Sequence, residues 1–195
     1  MGWVHTQEGP MGSEADYLRT EAPIDLERGA CYLVKEKKPD LAYRLFEMLL
    51  QQKVPGIVIS RLYPDRVRRE RGLTGVRVIW LSHTPGEDFH NPTAIATLGK
   101  LVERFVEDNH GEGAVLLDGI EYLIINNGFL QTLMFIEHLN EFVMPRRAVL
   151  LLPVSPDTLD EKELALLERN VEVLESPALK TDLETREVSR LLDHY

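Results

Sequence analysis

Ala114-Val115-Leu116-Leu117-Asp118-Gly119-Ile120-Glu121-Tyr122-Leu123 is the stretch on which the fold turns. It opens with an apolar run that polar residues do not interrupt, so a strand built from it is dry on both faces. Strands of that kind belong to a parallel sheet, whose crossover helices cover both sides. The run stops at Asp118-Gly119, a pair that favours a turn and ends the strand.

Similar runs lie on either side of it. Ile57-Val58-Ile59 within Gly56–Ser60 reads the same way, as do Cys31–Val34, Val76–Ser82, Ala148–Pro153 and Val171–Leu174. Amphipathic stretches fill the gaps. Pro39 suits a first helical position, and Leu41, Ala42, Leu45, Phe46, Leu49 and Leu50 follow on one face. Asn91-Pro92 has the form of an N-cap and first residue, with Ile95, Leu98, Leu101, Val102, Phe105 and Val106 as the apolar stripe. Phe129 to Val143 supplies a further helix, stopped near Pro145. Thr158-x-x-Glu161 and Thr181-x-x-Glu184 match the capping box and open two shorter helices. Strands and helices in alternation predict a three-layer α/β fold with a mostly parallel sheet and right-handed crossovers. Residues 1–27 read as a flexible N-terminal lead-in, and residues 28–195 as a single α/β domain.

Composition narrows the function classes. The 195 residues carry a net charge of −10, from 22 basic and 32 acidic side chains. That field repels a phosphate backbone and an anionic membrane, so general nucleic-acid binding is not expected. A single cysteine, Cys31, excludes an intramolecular disulfide and fits a reducing, cytoplasmic setting. Cys31 itself lies in a strand and reads as a small buried hydrophobe. No run approaches the ~20 apolar residues of a membrane span, and the N-terminus lacks the form of a secretory signal.

In open parallel sheets, sites form beyond the carboxyl ends of the strands. Those positions hold Arg61-Leu62-Tyr63-Pro64-Asp65, Ser82-His83-Thr84-Pro85-Gly86, Asp118 to Leu123, and Pro153-Val154-Ser155-Pro156. An apolar strand ending in Asp118, with Glu121 close behind, has the form of the acidic strand end that orients metal and water in nucleotide hydrolases. The competing reading is structural: Asp118 caps a turn and Glu121 pairs with an arginine. If the cluster is real, both carboxylates lie at the carboxyl edge, near a basic or hydroxyl group such as Arg61 or Ser82. His83 and His90 share one loop with Glu87 and Asp88, but their spacing matches no standard zinc pattern, so no metal is expected.

A hydrolase also needs Gly-x-x-x-x-Gly-Lys-Ser/Thr after its first strand, whose amides cradle phosphate. Here the strand leads into Lys35-Glu36-Lys37-Lys38-Pro39-Asp40, with no glycine and one amide removed by proline. This reads as a solvated loop. No cofactor and no appreciable ATP binding are expected.

The segment from Arg61 to Arg71 holds Arg61, Arg66, Arg68, Arg69 and Arg71 against Asp65 and Glu70, a basic island on an acidic chain. It reads either as a solvated connection or as a docking patch, with Phe89 on a nearby loop as an aromatic anchor. Val188, Leu191 and Leu192 form a further apolar stripe near the C-terminus. A protein partner or a homo-oligomer is expected.

Taken together, Gly29 to Val34, Gly56 to Arg61 with Pro64, Trp80-Leu81-Ser82, Leu116 to Leu123 and Leu151 to Val154 resemble the archaeal domain-of-unknown-function 835 family over about residues 28 to 175. The Asp-Gly-x-Glu-Tyr-Leu segment is the most specific part of that likeness. The resemblance implies a degenerate RecA-like or KaiC-like domain, with the P-loop NTPase architecture but without the phosphate-binding loop. It also implies a signalling setting, and it names no reaction. The expectation is a non-catalytic interaction or signalling module. The alternative is an enzyme or nucleotide-binding protein using Arg61, Ser82, His83, Asp118 and Glu121. A purely architectural subunit is a third reading.

Overall fold

The apolar runs become seven strands of one sheet, and each neighbouring pair is parallel. A computed structural model describes residues 26–176 of the chain. In chain order the elements are β1 (Ala30–Lys35), α1 (Asp40–Gln51), β2 (Gly56–Ser60), α2 (Pro64–Arg71), β3 (Arg77–Leu81), β4 (Phe89–His90), α3 (Ile95–Asp108), β5 (Glu112–Asp118), α4 (Ile120–Asn127), α5 (Phe129–Val143), β6 (Arg147–Val154), α6 (Glu161–Glu168) and β7 (Glu172–Glu175). The sheet order is β4-β3-β2-β5-β6-β1-β7. The α/β class is as expected, and among the described residues the sheet is parallel throughout.

Side chains alternate across a strand, so β1, β2, β3, β5 and β6 each feed two cores. Cys31, Leu33, Ile57, Ile59, Val115, Leu117, Leu150 and Leu152 face α3, α4, α5 and α6. Tyr32, Val34, Val58, Val78, Ala114, Leu116, Val149 and Leu151 face α1 and α2. Both rows are almost wholly buried. This is why the strands read as unbroken apolar runs.

Four local expectations are corrected. The arginine-rich connection after β2 is a helix, α2, begun by Pro64 and closed by Gly72 in the left-handed conformation (φ 63°). The segment after Asp118 is not only a turn, because α4 starts at Ile120 behind Gly119. Asn91 does not cap α3. Its side chain accepts from the Thr93 N–H (3.0 Å) in a tight turn, and the helix begins at Ile95. The capping box of α6 is Asp160 with Glu163, while the Thr158 hydroxyl donates to the Ser155 carbonyl (2.6 Å). The loop holding Phe89 also contributes the short edge strand β4. The second expected capping box at Thr181 and the stripe at Val188, Leu191 and Leu192 lie outside the described residues, as do residues 1–25 of the expected lead-in.

Candidate functional site at the carboxyl edge

All strands run the same way, so their carboxyl ends share one edge. Along the face toward α1 and α2, several strands stay apolar until their last step and then turn polar. In β1 the row is Tyr32, Val34, then Glu36. In β2 it is Val58, then Ser60. In β3 it is Val78, then Trp80, and in β5 it is Ala114, Leu116, then Asp118. Period-two alternation therefore places these groups on the face of α1 and α2 rather than that of α3 or α5.

Glu36 is the more enclosed of the two carboxylates, at 4% exposure. Its carboxylate reaches over the start of α1 and accepts from the backbone N–H groups of Leu41 (2.7 Å) and Ala42 (2.9 Å). The other early amides are also satisfied. Asp40 donates to the Lys38 carbonyl (2.7 Å) and Tyr43 to the Pro39 carbonyl (3.2 Å). A helix start normally leaves such amides open to an anion; here the chain fills them with its own side chain. Burial pushes the Glu36 carboxyl up to about 7, against the pull of the two amides. Lys35, next to it, turns away to Glu168 (2.9 Å) and Glu175.

Asp118 is the second enclosed carboxylate. One oxygen accepts from the Tyr43 hydroxyl (3.0 Å) and from the Ser60 hydroxyl (3.2 Å). The register that sets Ser60 beside Asp118 brings the two strand ends together. Burial raises the Asp118 carboxyl above the usual carboxylate range, while both hydroxyls and the charge of Arg71 oppose that shift. Burial, and then the charge of Asp118, push the Tyr43 phenol upward. Arg71 stacks over the Tyr43 ring (4.4 Å) and pairs with Asp40 (2.6 Å). Ser60, Asp118, Tyr43, Arg71 and Asp40 thus form one network pinning α1 and α2 to the sheet.

Glu121 takes a different direction. Its carboxylate accepts from the Ser155 N–H (2.9 Å) and ties α4 to the end of β6. Ser82 contacts neither carboxylate, and its hydroxyl accepts from the Thr84 N–H (2.9 Å). Gly119 allows the close approach here, since a Cβ on it would come within 2.8 Å of the Leu81 side chain.

The outer part of the edge is built from rings and cations. Arg61 stacks over the Tyr122 ring at 4.7 Å. His83 meets the same ring edge-on (6.4 Å) and bonds Asn126 through Nε2 (2.9 Å). The Trp80 indole N–H donates to the Arg61 carbonyl (3.1 Å), and Tyr63 packs edge-on against Trp80 (5.3 Å). So the structure brings Arg61 and His83 together through Tyr122, places Asp118 with Ser60 and Tyr43, and leaves Glu121 with Ser155.

The island on α2 is largely neutralised from within. Arg66 pairs with Glu70 (2.8 Å) and Arg68 with Asp65 (3.1 Å), while Arg69 is exposed. Phe89 is 39% exposed on β4. Among the described residues, no group of three or more His, Cys, Asp and Glu side chains is placed to hold a metal ion, and no helix is long and apolar enough to cross a membrane.

Comparison with known proteins follows the fold. The family described as "Protein of unknown function (DUF835)" matches residues 35–171. No curated protein matches by sequence. Among solved structures, the protein PH0250 from Pyrococcus horikoshii OT3 aligns with a TM-score of 0.57 at 16% identity, over 78% of this chain and 85% of that one. The flagellar accessory protein FlaH from Methanocaldococcus jannaschii aligns at 0.51 and 16% identity, over 77% and 72%. A KaiC-like protein from P. horikoshii, PH0186, aligns at 0.53 and 13% identity, over 76% and 73%. At such identities the likeness concerns the fold, which is RecA-like.

Proposed function

Because the chain belongs to the DUF835 family, whose function is unknown, we propose that it is a RecA-like domain that works without nucleotide, as a non-catalytic interaction or signalling module. One observation carries this reading: the Glu36 carboxylate on the Leu41 and Ala42 amides. In a nucleotide hydrolase the first strand feeds a glycine-rich loop whose amides, together with a helix start, hold phosphate. Here the helix after the first strand has its early amides engaged by Glu36, Lys38 and Pro39. A phosphate group entering there would have to displace the buried Glu36 carboxyl from both amides. The connecting Lys35 to Asp40 segment contains no glycine to let backbone approach a phosphate.

The acidic strand end supports the same reading. Asp118 is engaged by two hydroxyls and faces α1, while Glu121 is engaged by the backbone amide of Ser155, just past β6. These are the contacts of side chains that hold elements together.

Calorimetry with ATP and magnesium tests the proposal. The expected result is no saturable heat and no phosphate release. Micromolar affinity with turnover would overturn it in favour of an enzyme using Arg61, Ser82, His83, Asp118 and Glu121.

A further inference from the structure

We propose that the ridge formed by Arg61, Tyr63, Trp80, His83 and Tyr122 is a docking surface for an acidic peptide segment of a partner protein. This deepens the preceding reading, since it names the surface and the partner's chemistry for an interaction module.

Charge carries the first part of the argument. Although its net charge of −10 repels acidic groups at long range, the chain can hold one locally through a cation that no carboxylate neutralises. Several of its arginines are already matched to carboxylates: Arg66 to Glu70, Arg68 to Asp65, Arg71 to Asp40 and Arg77 to Asp88, all within 3.1 Å. Arg61 is exposed and its guanidinium lies against a ring, with no carboxylate beside it among the described residues. Among the described residues no hydrogen bond or ion pair engages the guanidinium, so its N–H edge is free. That edge is the part that grips a carboxylate with two parallel hydrogen bonds.

Order carries the second part. A long arginine loses freedom when it binds, which weakens exposed ion pairs. Here much of that freedom is already gone. The Trp80 indole holds the Arg61 carbonyl, Tyr122 lies against the guanidinium, and His83, itself bonded to Asn126, packs edge-on against Tyr122. Tyr63, 55% exposed, extends the ridge with an apolar ring and a hydroxyl. Tryptophan, tyrosine and arginine are the residue types that dominate binding energy at protein interfaces. An acidic segment carrying an apolar or aromatic side chain matches both halves of the surface.

The test uses the full chain with Trp3→Phe, so that emission reports Trp80, the other of the two tryptophans. A displayed random octapeptide library is selected on this protein, and the winning peptides are titrated. The expected winners are rich in aspartate and glutamate around an apolar residue. Their binding shifts Trp80 emission, weakens as salt rises, and falls about tenfold or more in Arg61→Ala. Arg61→Lys, which keeps the charge but not the fork, should lie between. Tyr122→Phe, which keeps the ring, should bind as the parent does.

Winners that are basic or neutral would overturn the proposal. So would acidic winners indifferent to Arg61→Ala, tighter binding of polyuridylate than of peptide, or light scattering showing that the ridge pairs two copies of this chain. Calorimetry with ATP on the same protein separates the two claims. Nucleotide binding with intact peptide binding sinks only the nucleotide-free reading, and a silent ridge with no nucleotide binding sinks only this one.

Discussion

The carboxyl edge of the sheet has an inner half and an outer half, and they are built by opposite rules. On the inner half, Glu36 and Asp118 are enclosed, and each acidic group meets donors supplied by the chain itself. On the outer half, Arg61, Tyr63 and His83 are exposed, and their contacts are mainly rings. A buried polar group without a partner is expensive, so the inner half must be satisfied within the fold. An exposed cation carries no such obligation. In an acidic chain, leaving one beside a row of rings reserves it for something outside. Titratable residues at a strand end therefore divide into those that hold the fold and those that face a partner, and burial with its partners decides which is which.

The strongest way to break this contrast is to remove Glu36. Glu36→Ala leaves the Leu41 and Ala42 amides buried without acceptors. We expect a loss of about 2–4 kcal/mol, with the melting temperature down by about 5–12 °C, measured by urea and thermal unfolding. An unchanged midpoint would mean that the inner half is not structural.

The same residue should shape the pH profile. Its carboxyl is raised from 4.5 to about 7 in the folded chain, so the folded state holds the proton more tightly. Its contribution is thus fully present below about 4.5 and is lost as pH rises through about 7. Unfolding midpoints should fall across that window, while Glu36→Gln, with nothing to titrate, should flatten the slope. An identical slope in both proteins would assign the effect elsewhere.

Asp118→Ala comes next. It strips the acceptor from two hydroxyls, one of them on the buried Tyr43, and should cost about 1–3 kcal/mol. Asp118→Asn keeps an acceptor oxygen and should recover part of the loss. A variant that folds with full stability but loses a biochemical activity would move Asp118 to the functional side.

The smallest expected effect sharpens the contrast from the other direction. Arg61→Ala should leave stability within about 0.5 kcal/mol, because the side chain is exposed and pairs with no carboxylate among the described residues. A large destabilisation would show that the ridge, too, belongs to the fold.

How much of this the sequence discloses depends on how each signal is written. Strand β2 and helix α5 lie at the bounds that periodicity assigns them, because a doubly buried strand and a long helix stopped near proline are strong patterns. Helix α2 escapes because its arginines drown its apolar stripe: only Pro64 and Val67 are buried. Helix α4 escapes because it is short and follows Asp-Gly, which reads as a turn. Glu36 reads as part of a charged loop, because its distance to Leu41 and Ala42 is not that of a capping box. The signal that finds it is alternation, since Tyr32 and Val34 place the next step of the row against α1. The same step in the other strands finds Ser60 and Asp118. The contact of Asp118 with Tyr43 joins residues far apart in sequence, and only the assembled sheet supplies it.

The strand order also sets a schedule for synthesis. β1 is made early, yet its neighbours are β6 and β7, with Ala30 opposite Val149, so the separation is 149 − 30 = 119 residues. A nascent chain emerging from the ribosome therefore carries a strand that is apolar from Ala30 to Val34, with open edges, until most of the domain has followed it. The strands β2, β3 and β5 have their partners sooner. Non-local parallel pairing of this kind folds slowly and exposes sticky intermediates. Closure on both sides of β1 is thus left until β7 has been made, when Lys35 can at last reach Glu168 and Glu175.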